Sequence, residues 1–370
     1  MPLTTQEQDQ IQQVASAFGL SKAPDGIYPV ENGHINRTYR VTVDGKAYIV
    51  QRINGYVFNR PADIMENIEH VTAHIRKKLE AEGRDPERGT LNYLHDSQGS
   101  NYIVDEAGDY WRVCPYIEGT RSYEQVENLH MLESAGYAFG EFQRMLSDYP
   151  MDQLHETIVD FHNTKKRLDD FFAMVKADPV GRAGEIQEDI RFFTDRRESA
   201  ARFMAMLQKG ELPLRVTHND TKYNNILIDS QTFEAVCVID LDTVMPGLSV
   251  YDFGDAIRFA ASTALEDETD LAKVSINMDY FEAFTRGFMG ASGGAFTPAE
   301  IDNMAQGCIN ITIELASRFL MDHINGDKYF AIHRPNHNLE RARNQMKLVV
   351  EMEKRLDEMN AIVHRYAQQS

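Results

Sequence analysis

Cysteine is scarce in this chain: three among 370 residues, Cys114, Cys237 and Cys308, widely separated. An odd, dispersed set excludes a disulfide framework and a C-x-x-C metal motif, and leaves buried thiols in a reducing compartment as the expectation. Long apolar runs are missing as well. None approaches the 18 residues that a membrane span needs. The opening residues, Met1-Pro2-Leu3-Thr4-Thr5-Gln6-Glu7, carry neither a basic leader nor an apolar stretch. A cytoplasmic protein with no membrane partner is the expectation. Positive charge is also in deficit: 38 Lys+Arg against 57 Asp+Glu give a net charge of −19. That argues against nucleic acid and anionic membrane surfaces as partners, because both require a basic patch. It does not identify a cationic substrate, since acidic surfaces mostly serve solubility. Low-complexity linkers and internal repeats are absent too, and nothing in the composition specifies an oligomeric state.

What is present is a hydrophobic content of 42%, enough to bury a sizeable core, in a chain long enough for two ordinary domains or one large bilobal one. Its centre is the stretch 216–243. His218, Asp220, Lys222 and Asn225 come first, followed by the apolar run Ile226-Leu227-Ile228. Turn chemistry at Asp229-Ser230-Gln231-Thr232 leads into Ala235-Val236-Cys237-Val238-Ile239, which ends in Asp240-Leu241-Asp242. This predicts a polar loop, a β-hairpin and an acidic strand end. The order suits phosphoryl transfer. One carboxylate must accept the proton of the attacking hydroxyl, while an amide oxygen and a second carboxylate hold the magnesium that bridges the nucleotide phosphates. The spacing H-x-D-x-K-x-x-N followed by an Asp after the next hairpin is that of the protein-kinase catalytic loop. A polar turn before an ordinary hairpin would explain the first motif alone. It does not explain the Asp240 pair in register with it.

In chain order, residues 4–19 predict a helix with Ile11, Val14, Ala15 and Phe18 on one face. Tyr39–Val43 and Ala47–Ile53 predict strands joined by an Asp44-Gly45 turn. Before them lies Gly33-His34-Ile35-Asn36, placed where a kinase covers its phosphates, but with one glycine instead of G-x-G-x-x-G. The return strand should carry a cation for the phosphates; Gln51 or Arg52 stands there, and no lysine. Residues 61–82 predict a helix beginning at Pro61. More strand material is expected over 90–117, at 102–104, 109–113 and 114–117. Residues 114–119 read as the crossing whose backbone meets the adenine, with Cys114 and Tyr116 beside the nucleotide. Helical periodicity then runs over 127–147, 161–177, 183–209, 266–290, 298–325 and 336–368. The expectation is an α+β, protein-kinase-like bilobal fold: a small β-rich N-lobe over 1–117, a hinge at 118–124 and a larger, mostly helical C-lobe over 125–370.

With Tyr251-Asp252-Phe253-Gly254-Asp255 added to His218–Asp242, the chain resembles the aminoglycoside phosphotransferase-like kinases, which share the protein-kinase fold and phosphorylate small molecules. Longer runs, among them Thr217–Lys222, Ile239–Thr243, Met245-Pro246-Gly247 and Phe259–Glu268, resemble the branch of that family that acts on N-acetylhexosamines. The resemblance extends over essentially the whole chain. It implies transfer from ATP, with Mg2+, to the anomeric hydroxyl of N-acetylglucosamine or N-acetylgalactosamine, giving the α-1-phosphate. It makes Asp220 the base, with Lys222 near the transferring phosphoryl group or ion-paired to Asp220. Asp240 and Asn225 become the metal ligands, and Asp242 either joins them or is a salt-bridged structural carboxylate. His34, Phe259, Arg318 and Tyr329 are its candidates for the sugar pocket. The alternatives are a kinase of the same fold acting on an aminoglycoside, choline, homoserine or a fructosamine, or a nucleotide-binding protein without catalysis.

Overall fold

The computed structural model describes residues 3–30 and 35–369. The N-terminal part is built on an antiparallel sheet of β1 (Gly26–Val30), β2 (Arg37–Val43), β3 (Lys46–Arg52), β4 (Ile103–Val104) and β5 (Tyr110–Pro115), in spatial order β1-β2-β3-β5-β4. Asp44 and Gly45 both take positive φ, which matches the turn to the twist of β2 and β3. Alternation sorts the side chains. Tyr39, Val41, Val43, Val50, Trp111 and Val113 face α1 (Thr5–Ala17) and pack with its Ile11 and Val14. The other face carries Ile49, Gln51, Arg112 and Cys114. It is covered by α2 (Pro61–Ala81), which the short α3 (Pro86–Gly89) follows.

That second face is shared between the lobes. Ile64, Ile68, Val71 and Ile75 of α2 lie in one core with Phe142, Met145, Val216, Cys237, Leu241 and Val244. Asn67, 1% exposed, locks the contact. Its amide nitrogen donates to the carbonyls of His155 (2.8 Å) and Val244 (3.0 Å), and its oxygen accepts from the His155 N–H at 2.8 Å.

The chain leaves the N-terminal sheet at Tyr116, whose N–H still donates to the Ala47 carbonyl. By β6 (Thr120–Arg121) it pairs with β8 (Ile226–Asp229), which forms a hairpin with β9 (Ala235–Val238). β7 (Arg215–Thr217) pairs with β10 (Met245–Gly247) beneath the hairpin's end. The rest is helical: α4 (Leu129–Met145), α5 (Thr164–Ala177), α6 (Gln187–Gln208), α7 (Ser249–Ala260), α8 (Met278–Ser292), α9 (Pro298–Ile301), α10 (Met304–Ile324), α11 (His337–Lys354) and α12 (Leu356–Ala367). Glycines allow two close crossings. A Cβ on Gly287 of α8 would overlap the Glu133 carbonyl of α4, and one on Gly307 of α10 would overlap the Val250 carbonyl of α7. The result is the bilobal kinase-like fold expected from the sequence. Among the described residues no helix is long and apolar enough to cross a membrane, and all three cysteines are buried free thiols.

Three helical stretches differ from the periodicity; the helix expected over 298–325 breaks at Asp302 and Asn303 into α9 and α10. The helix expected over 266–290 begins only at Met278, capped by the Asn277 side chain. Upstream, Glu268 accepts from the Asp270 N–H and Asp270 from the Ala272 N–H, so short polar side chains take the backbone donors that a helix would use. The helix expected over 336–368 breaks at Arg355 into α11 and α12.

Candidate active site

The catalytic loop hangs between β7 and a 3-10 turn at Tyr223–Asn225. Its conformation is set by Asp252 of α7, a buried carboxylate that accepts the N–H groups of His218 and Asn219, both at 2.8 Å, and the Gln143 amide at 2.8 Å. Burial raises the Asp252 pKa, against the pull of His218 and the two backbone donors. His218 is wedged edge-on between Phe139 and Phe142. Its Nε2 lies 2.9 Å from the Ile239 carbonyl, which can only accept, so Nε2 carries the proton and Nδ1 is left to accept the Asp220 N–H at 3.3 Å. Asn219 holds φ of +64°, a conformation tolerated here because its side chain is tied to Thr217 and Thr243.

These constraints present Asp220 to the cleft. Its carboxylate lies 3.1 Å from the Lys222 ammonium. Burial works against the Lys222 charge, but Asp220, with Asp255 and Asp240 behind it, holds the ammonium in its charged form. Asn225 donates its amide nitrogen to the Asp220 carbonyl (2.8 Å) and carboxylate (3.1 Å). The Asn225 amide oxygen is therefore the atom free to face a cation. The Ile239 N–H bonds the Asn225 carbonyl at 2.9 Å, which brings the next residue, Asp240, beside it.

Asp240 takes the left-handed conformation, φ +59°. Solvent reaches its side chain, yet protein crowds around it. The surrounding protein, and then the neighbouring carboxylates of Asp242 and Asp220, raise its pKa. Among the described residues no group donates a hydrogen bond to it, so excess negative charge converges where a divalent cation would relieve it. Asn225 and Asp240 are the side chains that could hold one. Among the described residues there is no cluster of three or more His, Cys, Asp or Glu that could bind a metal. A sparse oxygen set suits Mg2+, which keeps waters and substrate phosphates as its other ligands.

Asp242 is placed otherwise. One oxygen is ion-paired with Arg112 and the other accepts the Asn36 amide at 2.6 Å. The pair is almost wholly buried, at 1% and 2% side-chain exposure. Burial opposes the Arg112 charge, and Asp242 more than offsets it. Both Asp242 oxygens are thus engaged within the protein, in the salt-bridged arrangement.

Arg112 is the cation beside Gln51, where the sequence lacks a lysine. It stands directly opposite Gln51 in the β3–β5 pairing, on the cleft face, and donates from Nε to the Gln51 side-chain oxygen at 3.0 Å. Gln51 in turn donates to Thr38 at 3.0 Å. Arg52, expected as an alternative phosphate-facing cation, does not face the cleft. One residue further along β3, it points to the opposite side of the sheet and pairs with Asp109 at 2.8 Å. Asn36 reaches Asp242 and accepts the Asn54 N–H at 3.0 Å. Gly33 and His34 lie outside the described residues. Cys114 is buried beside Cys237 in the interlobe core, and burial pushes its thiol up to about 12. Tyr116 turns its ring under Arg40, 4.5 Å from the guanidinium, and donates its hydroxyl to the Thr120 carbonyl.

Of the sugar-pocket candidates, Arg318 and Tyr329 meet around Phe330. The Arg318 guanidinium lies 5.7 Å from the Phe330 ring and Tyr329 packs edge-on against it at 4.8 Å. Tyr329 is 67% exposed. Its loop is held by the buried Asp322, which accepts three successive N–H groups, from Lys328, Tyr329 and Phe330, all at 2.9 Å. Phe259 sits on α7, the helix packed beside α10, half-buried against the C-lobe core. Its neighbour Arg258 is pinned between Asp255 (2.8 Å) and Glu266 (3.1 Å). A surface cavity of about 300 Å³ lined by Glu66, Glu69, His95 and Tyr102 lies under α2 and holds none of these residues. Sequence reasoning did not assign Arg112, Asp252, Asp255 or Asp322; the alternation of β5 was the one signal available for Arg112.

The sequence profile described as "Phosphotransferase enzyme family" matches residues 26–282. Several solved structures share the fold. A spectinomycin phosphotransferase in complex with ADP and spectinomycin is 13% identical, with a TM-score of 0.60 over 97% of this chain and 100% of that one. An aminoglycoside 2'-phosphotransferase in complex with GDP is 12% identical, TM-score 0.61, over 92% and 98%. A choline kinase from Cryptosporidium parvum is 13% identical, TM-score 0.53, over 92% and 93%. At such identities the likeness is one of fold.

Proposed function

The chain belongs to the phosphotransferase enzyme family, and on that premise we propose that it is an N-acetylhexosamine 1-kinase, using ATP and Mg2+ to phosphorylate the anomeric hydroxyl of N-acetylglucosamine or N-acetylgalactosamine. The observation that carries the phosphotransfer half is the convergence of Asp220, Lys222, Asn225 and Asp240 on one cleft. The acceptor half is supported by the sequence runs around Phe259 and by the Arg318–Phe330–Tyr329 cluster. An aromatic face covers the apolar face of a pyranose, and a guanidinium donates to hydroxyls or an acetamido carbonyl. Relatives in fold that bind ADP or GDP support a nucleoside triphosphate as donor.

Asp220 orients the C1 hydroxyl and accepts its proton while the sugar oxygen bonds to the γ-phosphorus and the bond to the β-phosphate oxygen breaks. The products are the sugar 1-phosphate and ADP. Lys222, ion-paired with Asp220, would supply positive charge to the transferring phosphoryl group. Asn225 and Asp240 would hold the magnesium ion, which when bound would neutralise charge at the phosphates. Positioning and electrostatics do most of the work, as in phosphoryl transfer generally.

The test is magnesium-dependent ADP release with N-acetylglucosamine, N-acetylgalactosamine, glucose, choline and kanamycin, with phosphorus NMR of any product. An anomeric phosphate from the acetamido sugars is the expected result. Turnover of choline or kanamycin instead assigns the other kinase class and discards the sugar pocket. Nucleotide binding without any turnover leaves a catalytically silent member.

A further inference from the structure

His162 lies just ahead of α5, outside every motif discussed above, and its ring, 12% exposed, bridges two parts of the molecule. Nδ1 is 2.9 Å from the Glu314 carboxylate of α10, and Nε2 is 2.9 Å from the Asn219 backbone carbonyl in the catalytic loop. A carbonyl only accepts, so Nε2 carries a proton. The Glu314 contact then needs a second proton, on either Nδ1 or the carboxylate. Burial opposes a charge on the ring; Glu314 outweighs it, aided by Asn219 and Asp255, and the imidazolium is favoured. The other Glu314 oxygen accepts the Thr164 hydroxyl at 2.9 Å, which engages the Tyr251 hydroxyl at 2.7 Å. A hydrogen-bonded chain therefore joins Tyr251, Thr164, Glu314, His162 and Asn219, with Thr164 and His162 both donating to Glu314. Every member but the last comes from a helix or from the residues that lead into one.

The carbonyl at the end of this chain belongs to the peptide that joins Asn219 to Asp220. Fixing it fixes the peptide plane from which the Asp220 side chain projects. Asp252 holds the N–H side of the same residue and Thr243 its side chain. His162 supplies the remaining anchor. Glu314 lies one helical turn before Arg318, so the helix that carries the acceptor-side arginine also carries the partner of this histidine. We propose that His162, paired with Glu314, is a positioning residue that orients the Asn219–Asp220 peptide and sets the catalytic base in line for transfer, coupling α10 to the base. The inference rests on the phosphotransferase reading of the site, not on the identity of the acceptor.

The titratable groups that act on the ring are Glu314 from α10 and Tyr251, Asp252 and Asp255 from α7; behind them, Arg167 of α5 acts on Glu314 and Lys222 of the catalytic loop on Asp255. The full-length enzyme is compared with H162F and with the nearly isosteric E314Q, after a thermal melt shows that each is folded. Turnover is read with the acceptor that the parent uses and, independently of any sugar, as slow ATP hydrolysis by water. H162F should lose on the order of 10- to 100-fold in kcat, the scale of a misplaced catalytic group, while the KM for Mg-ATP stays within about twofold, since neither metal ligand is touched. In E314Q the imidazolium loses its partner, and the alkaline fall of kcat moves to lower pH. A folded H162F with parental kcat overturns the proposal, as does an E314Q pH profile that superimposes on the parent's. If H162F does not fold, E314Q decides alone. A parent that ignores acetamido sugars but hydrolyses ATP in an Asp220-dependent way removes the substrate assignment and leaves this comparison intact.

Discussion

Asp220, Lys222, Asn225 and Asp240 converge on one cleft, and each carries a distinct expectation. Asp220→Asn keeps the shape and removes the proton acceptor, so kcat should fall on the order of 10²–10⁴-fold with little change in nucleotide affinity; steady-state kinetics at saturating ATP checks this, and near-parental turnover would remove Asp220 as base. Asp240→Asn relieves the carboxylate crowding that raises its own pKa. The variant should therefore be at least as stable as the parent, while the magnesium concentration for half-maximal activity rises at least several-fold; melting curves and a magnesium titration read the two effects separately. His162 gives a pH dependence of stability. Its pKa is raised in the fold, so its pairing with Glu314 stabilises fully below the ordinary imidazole value of about 6.5 and is lost as pH rises through the folded value. The melting temperature of E314Q should accordingly lie furthest below the parent's in acid and approach it as the pH rises. The loop residues were legible because their spacing lies within one stretch of chain. Arg112, Asp252 and Glu314 were not, because they reach the site from β5, α7 and α10, and no local pattern marks a buried charge whose partner is 130 residues away.

At the level of elements, the strands and the long amphipathic helices were readable from period alone, and the 263–277 segment was not. There, acidic and hydroxyl side chains capture backbone donors, a competition that hydrophobic periodicity does not register. α7 was likewise hidden as an element. It is buried nearly all round, and its residues registered as a motif, Tyr251–Asp255, before they registered as a helix. The glycine crossings carry a further consequence. α7 bears Asp252 and Asp255 while α10 bears Glu314 and Arg318, and Gly307 lets their backbones touch. Gly307→Ala forces the two helices apart against a close-packed core. A loss of about 1–3 kcal/mol is expected from such overpacking, measurable as a lower denaturant midpoint. Because the helices also hold the catalytic loop, kcat should fall even where the variant remains folded. Gly287→Ala at the α4–α8 crossing should cost stability by the same mechanism. It spares kcat more, because α8 carries no residue of the site.

Across the whole molecule, the two lobes are joined by charge as well as by a core. α2 shares its apolar stripe with C-lobe strands and is clamped by Asn67, whereas the outer face of the sheet packs separately against α1. Between these units lies the buried Arg112–Asp242 pair, with Asn36 and Gln51 completing its hydrogen bonds. Two ions withdrawn from water repay their desolvation only through each other. Removing one strands its partner and typically costs about 3–5 kcal/mol, while replacing both by apolar groups of similar volume is often neutral. Arg112→Met should therefore unfold at markedly lower denaturant concentration, and the double variant Arg112→Met/Asp242→Leu should recover most of that stability. Function should not follow stability. Asp242 anchors Asn36 and adjoins Asp240, so a double variant that is stable but loose at this joint should keep a high KM for Mg-ATP. If restoring the midpoint also restored the parental KM, the pair would serve folding alone; if KM stays raised, the buried charge is retained for the geometry it imposes between the lobes.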